Sequence, residues 1–498
     1  MSFAKLDELC RKLEALDHAQ SMLAVDEAVQ MPTGGGEKRA EAMGTLAGMY
    51  HELASAPHIA DWIADAAQEP LDDMQSKALR EFRRSYINLT CLSSAFVTRQ
   101  VGARIRCEQL WRALRPSGDW KNFLPAFEGI VALVREEAQM RAAVLGVSPY
   151  DALIEQYDPG STAAAITPVF ADLKAFLGGF IPQAIVAQNQ RLARRPRKPF
   201  NAPFAIEQQK ALGLALMKAI GFDFEHGRLD ISHHPFCGGV PSDVRMTTRY
   251  RTDEFLSSLM GILHETGHGL YEQGLPATWS HWPVGKARGM AAHESQSLFV
   301  EMQLVRNPAF WDFAMPLVTE HLGSTAIAGW DTADVLSHVH RVEPGYIRVD
   351  ADEATYPLHI VMRFELEQDI VAGKLEARDV SEAWDEKMRA YFGLSTIDNP
   401  KDGPMQDVHW PSGAFGYFPS YTLGAMIAAQ QWAAVARTNP TVENDVRRGD
   451  FSGLNRWRRD HIWSRGSTVS SVELMRESTG EELTATYFKN HLKRRYLQ

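Results

Sequence analysis

Two histidines four residues apart bracket a glutamate in the stretch His264-Glu265-Thr266-Gly267-His268. Residues four apart lie on one face of a helix, about one turn apart, so both imidazoles can bind one zinc ion. Glu265 projects about 100° further round the helix axis, where a carboxylate can deprotonate water at the metal without being a ligand. Apolar residues at helical spacing precede the motif and predict the helix that carries it. The pattern is typical of zinc hydrolases.

A catalytic zinc site needs a third protein ligand and an open position. The helical stretch downstream of the motif offers His293, Glu294 and Glu301. Small residues flank Glu294 and would let its helix come close, which ranks Glu294 first and leaves the other two open. Gly267 and Gly269 cost helix propensity, but their lack of side chains would let the Glu294 helix or a substrate backbone approach.

The elements that must position these residues are mostly helices. In the first segment leucines recur three and four residues apart from Leu6 to Leu16, which predicts a helix with a core face. Further helical patterns run through residues 37–51, 71–114, 122–145 and 167–193, and from 252 to the end. Residues 233–250 are rich in Gly, Pro, Thr and β-branched residues and predict a loop with a short strand or hairpin. Because βαβ alternation is absent, we expect a mainly α fold with a small β insertion before the histidines.

The charge and cysteine content of the chain argue against several classes of protein. The 498 residues carry a formal charge of −10, which argues against a dedicated nucleic-acid binder. Four cysteines without C-x-x-C spacing, and an N-terminus without a signal-peptide pattern, predict a cytoplasmic protein. No segment is expected to span a membrane, the nearest being residues 423–436. The basic run at 191–200 is interpreted as a solvated helix end entering a linker.

Six short motifs between residues 234 and 410 resemble those of a known family. They are His234-Pro235-Phe236, Asp243-x-Arg245-x-Thr247, the HExxH, His293-Glu294-Ser295-Gln296, Ile347-Arg348-x-x-Ala351-Asp352 and Gly403-x-x-Gln406-Asp407-x-His409-Trp410. In this order they resemble the carboxypeptidase Taq family of zinc metallocarboxypeptidases, peptidase family M32. One departure is Val25, where the family commonly has tryptophan in its N-terminal motif.

The resemblance implies one peptidase domain over residues 1–498, with a bilobed helical fold, a deep substrate groove and a small β-sheet near the HExxH helix. A helical hairpin of about residues 1–52 is expected to flank the groove. The metal ligands implied are His264, His268 and Glu294, with Glu265 as general base and acid. The metal is expected to be one divalent ion per chain, zinc first and cobalt as the alternative. Family membership also implies a homodimer that removes single residues from peptide C-termini with broad specificity.

A carboxypeptidase must also bind the free C-terminal carboxylate of its substrate. Arginine suits this because its planar guanidinium pairs with a carboxylate in a bidentate manner. Within the family motifs, we predict Arg348 as the main anchor and Arg245 as a groove residue near it. The alternative for each is a structural ion pair, Arg348 with Asp352 four residues on and Arg245 with Asp243.

Further site residues are expected in the loop-like stretch 403–424, which is dense in glycine, proline and aromatic residues. His409 could donate to the substrate carboxylate or oxyanion, and Tyr421 could stabilise the oxyanion, although core packing is the alternative for Tyr421. His234 is predicted to line the site or to support a ligand. Asp407 is interpreted as a scaffold residue.

Two rival functions remain at this point. A zinc oligopeptidase that cuts inside short peptides would use the same HExxH chemistry. A helical scaffold that has lost catalysis is the second rival, but the presence of Glu265 together with all three ligands argues against it.

Overall fold

The computed structural model describes residues 1–233, 235–323 and 325–498. Helices form most of it, as the sequence predicts. The first ten are α1 (Ser2–Val29), α2 (Gly36–Ala54), α3 (His58–Ala66), α4 (Asp73–Thr90), α5 (Ser94–Leu114), α6 (Trp120–Leu145), α7 (Pro149–Ile154), α8 (Ala163–Arg194), α9 (Ile206–Ile220) and α10 (Leu256–Gly274). The remainder are α11 (Met290–Leu298), α12 (Pro308–Leu322), α13 (Thr332–Val339), α14 (Tyr356–Val371), α15 (Val380–Phe392), α16 (Pro419–Thr438), α17 (Val442–Arg447), α18 (Ser452–His461), α19 (Ser471–Thr479) and α20 (Thr486–Leu497).

A three-stranded sheet lies beside α10. Its strands are β1 (Gly227–Ile231), β2 (Phe236–Val240) and β3 (Asp243–Thr248). The central strand, β3, pairs in parallel with β1 and in antiparallel with β2. The predicted short hairpin before the histidines is β2–β3, so the mainly α fold with a small sheet beside the HExxH helix is confirmed. The sequence analysis missed β1, which pairs with β3 although β2 lies between the two strands in the sequence.

Two glycines let α11 pack closely between α10 and α16. A Cβ atom built on Gly267 would lie 2.5 Å from Cα of Ser297 and closer still to the carbonyl oxygen of Gln296. On the other side, a Cβ atom on Gly424 would lie 2.8 Å from Cβ of Glu294. The expectation that Gly267 admits the Glu294 helix is confirmed. Gly269 instead faces the side chains of Met246 and Phe222.

The N-terminal segment forms two packed helices, α1 and α2. Leu6, Leu9 and Leu13 of the predicted leucine stripe are buried in a small separate core. Val25 is buried too and lies against Gly238 of β2, so the residue that departs from the family pattern packs on the sheet.

The expectation that no segment is long and apolar enough to cross a membrane was wrong for α8, which passes by length and composition alone. One face of α8, including Phe170, Leu173 and Leu177, is buried in the main core, as in the core helix of a globular domain.

Candidate metal centre and substrate site

The three predicted metal ligands lie together at the junction of α10 and α11. One ligand atom each from His264, His268 and Glu294 can be chosen so that all lie within 4.8 Å of one another. Nε2 of His268 lies 3.6 Å from Oε2 of Glu294. Two imidazole nitrogens and one carboxylate oxygen are the donor set of many catalytic zinc sites. The residues therefore fit a divalent transition metal.

Hydrogen bonding orients His264 towards such a metal. Nδ1 of His264 lies 2.8 Å from Oε2 of Glu301, which leaves Nε2 for a metal ion. Arg306 donates to the other carboxylate oxygen of Glu301 at 3.0 Å. Burial opposes ionisation of Glu301, but the hydrogen bond to His264 and the charge of Arg306 lower its pKa to about 2. Glu301, one of the open ligand candidates, thus supports a ligand instead.

A second chain of contacts orients His268. Nδ1 of His268 lies 2.7 Å from Nδ1 of His293, and Nε2 of His293 lies 2.8 Å from Oε1 of Glu272. Burial and the two neighbouring imidazoles lower the pKa of His268, so it is held neutral, as a metal ligand must be. His293, the other open ligand candidate, is therefore a hydrogen-bond partner of a ligand.

Glu265 is buried next to the ligand cluster. Burial raises its pKa to about 7, against the lowering effect of His264 and with a further increase from the charge of Glu294. A carboxylate with a pKa in this range can accept and return a proton near neutral pH.

Arg348 lies in a cage of polar and aromatic groups. Its Nε and Nη2 donate to Oδ1 of Asp407 at 3.1 and 2.8 Å, and its Nη1 donates to the Tyr356 hydroxyl at 2.8 Å. The guanidinium lies 4.8 Å from the ring centroid of Tyr421. Tyr421 lies one helical turn before Gly424 on α16, and Gly424 packs against Glu294, so Arg348 lies near the ligand cluster.

Asp407 is shared between two buried arginines. Its Oδ2 accepts from Nε and Nη2 of Arg363 at 2.9 and 2.6 Å, and Oδ1 binds Arg348. The alternative considered for Arg348, an ion pair with Asp352, was wrong, because the ion pair of Arg348 is with Asp407. Asp352 instead accepts hydrogen bonds from the backbone N–H groups of Glu343, Ala354 and Thr355, because residues 348–350 form one 3-10 turn and an i,i+4 pair needs an α-helix.

Tyr421 and His409 contact each other on the same side of the site. Nε2 of His409 lies 3.2 Å from the Tyr421 hydroxyl. Burial lowers the pKa of His409 to about 4, so it is neutral at neutral pH, and burial raises the pKa of Tyr421, so its hydroxyl keeps its proton. The negative charge of Glu294 adds to the burial that raises the pKa of Tyr421, Tyr417 and Tyr356.

Comparison with known proteins decides the family. A sequence profile of the carboxypeptidase Taq (M32) metallopeptidases matches residues 5–496. The chain belongs to the M32 family. It is 36% identical to thermostable carboxypeptidase 1 of Thermus thermophilus over 99% of this chain and 98% of that protein. It is 30% identical to carboxypeptidase 1 of Bacillus subtilis, over 98% of this chain and 97% of that one.

Solved structures of M32 proteins share the fold. Metallocarboxypeptidase 1 of Trypanosoma cruzi superimposes with a TM-score of 0.97 at 37% identity, over 100% of this chain and 99% of that one. The M32 carboxypeptidase of Deinococcus radiodurans gives a TM-score of 0.92 at 32% identity, over 99% and 98%. The resemblance inferred from six motifs is thus confirmed, and this chain is an M32 metallocarboxypeptidase.

One predicted residue of this M32 chain, Arg245, is not joined to the site by the described contacts. Arg245 pairs with Asp243, its Nη2 donating to Oδ2 at 2.8 Å, which is the structural ion pair considered as the alternative. His234 lies outside the described residues.

The sequence analysis missed three residues of this M32 site. Glu272 continues the four-residue spacing of His264 and His268 along α10, a signal that could have been followed. Tyr356 and Arg363 lie on α14 in an apolar run. A charged residue such as Arg363 in an apolar helix indicates a buried ion-pair partner elsewhere in the chain. The partner of Arg363 is 44 residues away, at Asp407, and local spacing cannot find it.

Proposed function

We propose that this M32 chain is a broad-specificity carboxypeptidase that releases single amino acids from peptide C-termini, with Glu265 as general base. Zinc is the proposed metal, with cobalt as the alternative that the same donor set accepts. The observation that carries the proposal is a buried arginine with unused N–H groups, Arg348, beside the ligand cluster.

Arg348 has donors left to bind a substrate. A guanidinium carries five N–H groups, and Asp407 and Tyr356 use three of those of Arg348. Within the described chain the remaining two belong to Nη1 and Nη2, the edge that pairs with a carboxylate in a bidentate manner. Arg348 thus binds the C-terminal carboxylate, and Asp407 fixes the plane of the guanidinium.

Glu265 transfers the proton from the attacking water to the leaving amine in the proposed reaction. When bound by His264, His268 and Glu294, a divalent metal supplies Lewis acidity, which polarises the scissile carbonyl and acidifies water. The Glu265 carboxylate accepts a proton from the attacking water and then delivers it to the leaving amine nitrogen. Its pKa near 7 suits both transfers.

Tyr421 and His409 stabilise the oxygen on which negative charge develops. The Tyr421 hydroxyl is protonated, and its contact with neutral His409 holds it in position. A hydroxyl donor aimed at a developing oxyanion stabilises the transition state more than the substrate.

Timed mass spectrometry of one peptide, made with a free and with an amidated C-terminus, tests the function. A ladder that shortens by one residue at a time from the free C-terminus, with little cleavage of the amide, is the expected result. Internal cleavage at equal rates on both peptides would identify the rival oligopeptidase instead. The zinc-loaded and cobalt-loaded enzymes should give the same ladder.

A homodimer and a cytoplasmic location complete the proposal. The four cysteines are unpaired, which supports a reducing compartment. Light scattering would measure the mass of the assembly, and twice the 55.7 kDa of one chain is expected. We propose no nucleic-acid or membrane partner; the burial of one face of α8 in the main core supports the second part of this proposal.

A further inference from the structure

The basic run at the end of α8 lines a cavity that none of the three metal ligands lines. The cavity has a volume of about 690 Å³ and lies between α8, α12, α13, α17 and α20. Three segments of the chain bring six arginines to it. They are Arg191, Arg194, Arg195, Arg447, Arg494 and Arg495. The sequence analysis interpreted this run as a solvated helix end. It did not predict that the arginines of the run would lie in one cavity with arginines of α17 and α20.

Acidic groups balance only part of this charge. Among the described lining residues the one acidic side chain is that of Glu443, in a chain whose net charge is −10. Three of the six arginines form ion pairs of 3.0 Å or less with carboxylates behind or beside the cavity wall. These pairs are Arg195 with Asp331 and Asp334, Arg447 with Asp312, and Arg495 with Glu353.

The other three arginines form no ion pair shorter than 3.7 Å with the described residues. Arg191 donates through Nη1 to the carbonyl of Tyr496 at 2.9 Å, and Arg494 has only Glu443, at 3.7 Å. Arg194 has no ion pair in the part of the chain that the structure describes. Burial lowers the pKa of Arg191, as expected for a guanidinium that is partly desolvated without a carboxylate. A cluster of arginines with so little acidic compensation favours binding of an anion.

The rest of the lining is suited to an organic molecule. Leu192, Ala309 and Leu336 give the cavity an apolar wall. Pro308 and Ala309 belong to the first turn of α12, a helix of 15 residues whose positive dipole end therefore faces the cavity. The volume lies within the range of natural small-molecule sites.

We propose that this cavity binds a small phosphate ester, whose phosphate is held by Arg191, Arg194 and Arg494 and whose apolar body lies on Leu192 and Leu336. The site is separate from the substrate site, since no residue of the metal cluster or of the Arg348 cage lines it. It adds a ligand to the enzyme beyond its peptide substrate.

Titration calorimetry of the metal-loaded enzyme with phenyl phosphate, at constant ionic strength, tests the proposal. Saturable binding of one phenyl phosphate per chain is expected, with inorganic phosphate and phenol each binding more weakly. The double variant Arg194→Gln/Arg494→Gln should lower the affinity by about tenfold or more, because two charged contacts are lost.

The matched control is Arg83→Gln/Arg378→Gln, which removes the same charge from two exposed arginines outside the cavity. It should leave the affinity unchanged, and both double variants should keep peptide hydrolysis. Equal loss of affinity in both would show general charge attraction and overturn the proposal. Phenyl phosphate that competes with a peptide substrate would place it at the catalytic site and overturn the proposal as well.

Discussion

Nδ1 of His293 lies 2.7 Å from Nδ1 of His268, and this contact fixes the position of one proton. His268 must keep the lone pair of Nε2 for the metal, so its Nδ1 carries the proton and donates to His293. The proton of His293 is then on Nε2, where it is donated to Glu272 at 2.8 Å. The contacts from His268 to His293 and from His293 to Glu272 thus hold the imidazole ring of His268 in place.

Substitution of Glu272 by glutamine should weaken metal binding. The amide lacks the negative charge that holds the His293–His268 pair in order, and loss of such a partner lowers metal affinity by about 10–100-fold. Competition with a chromophoric chelator measures the affinity independently of hydrolysis. Glu128→Gln, at an exposed position on α6, is the control and should bind metal as the wild type does. Equal affinity in the two variants would remove Glu272 from this role.

Glu265→Gln should retain the metal and lose hydrolysis. The substitution keeps the shape of the side chain but leaves no group to accept the proton, so kcat/KM should fall by about 10²–10⁴-fold or more. Metal content per chain, measured by elemental analysis, should stay at the wild-type value. Near-native turnover in this variant would contradict the assignment of the general base.

Arg348→Lys should reduce the preference for a free C-terminus. Lysine keeps the charge but not the planar pair of N–H groups, so we expect kcat/KM on free-acid peptides to fall by about tenfold or more. The ratio of rates on free-acid and amidated peptides is the measurement. Arg245→Lys is the matched control, because the described contacts of Arg245 are with Asp243. A larger effect at Arg245 would reverse the two assignments.

Gly267→Ala should disturb the metal centre through the backbone of α11. The new Cβ would overlap Ser297 and Gln296, which cannot retreat because α16 packs behind them, and overpacking of this kind costs about 1–3 kcal/mol. Gly261→Ala on the same helix is the control. Its nearest neighbour is Oγ1 of Thr248 at 3.9 Å, so it should be neutral or stabilising. The melting temperatures of the two variants in thermal unfolding are the measurement. A Gly267→Ala variant with the melting temperature of the wild type would show that α11 can shift.

The neutral state of His409 should make the fold sensitive to acid. Its pKa is lowered by burial from 6.5 to about 4, so only the unfolded chain takes up this proton as the pH falls from 6.5 towards 4. Between pH 7.5 and pH 5 this loss amounts to about 2 kcal/mol. His409→Gln should therefore lose less stability than the wild type over that interval in denaturant titrations. Parallel losses would mean that His409 titrates normally.

Local spacing predicted the parts of the site that one helix holds. His264, Glu265 and His268 follow from helix geometry, and small flanking residues pointed to Glu294. The contacts of Arg348 could not be predicted, since Asp407 is 59 residues away along a loop whose path depends on the whole fold. The i,i+4 argument for Asp352 failed because it assumed a helix where the chain makes a single 3-10 turn.

The chain from Phe299 to Val305 follows a π-helix that continues α11. Each turn of a π-helix contains more residues than a turn of an α-helix. The stretch therefore sets the directions around the helix axis in which the side chains of Glu294, before it, and Arg306, after it, point. Removing one residue would let the helix relax to α form and rotate all that follows by about 100°. Glu301 would then swing away from His264 although every ligand remained in the sequence. Apart from Glu301, this segment should tolerate conservative apolar substitutions far better than a single insertion or deletion.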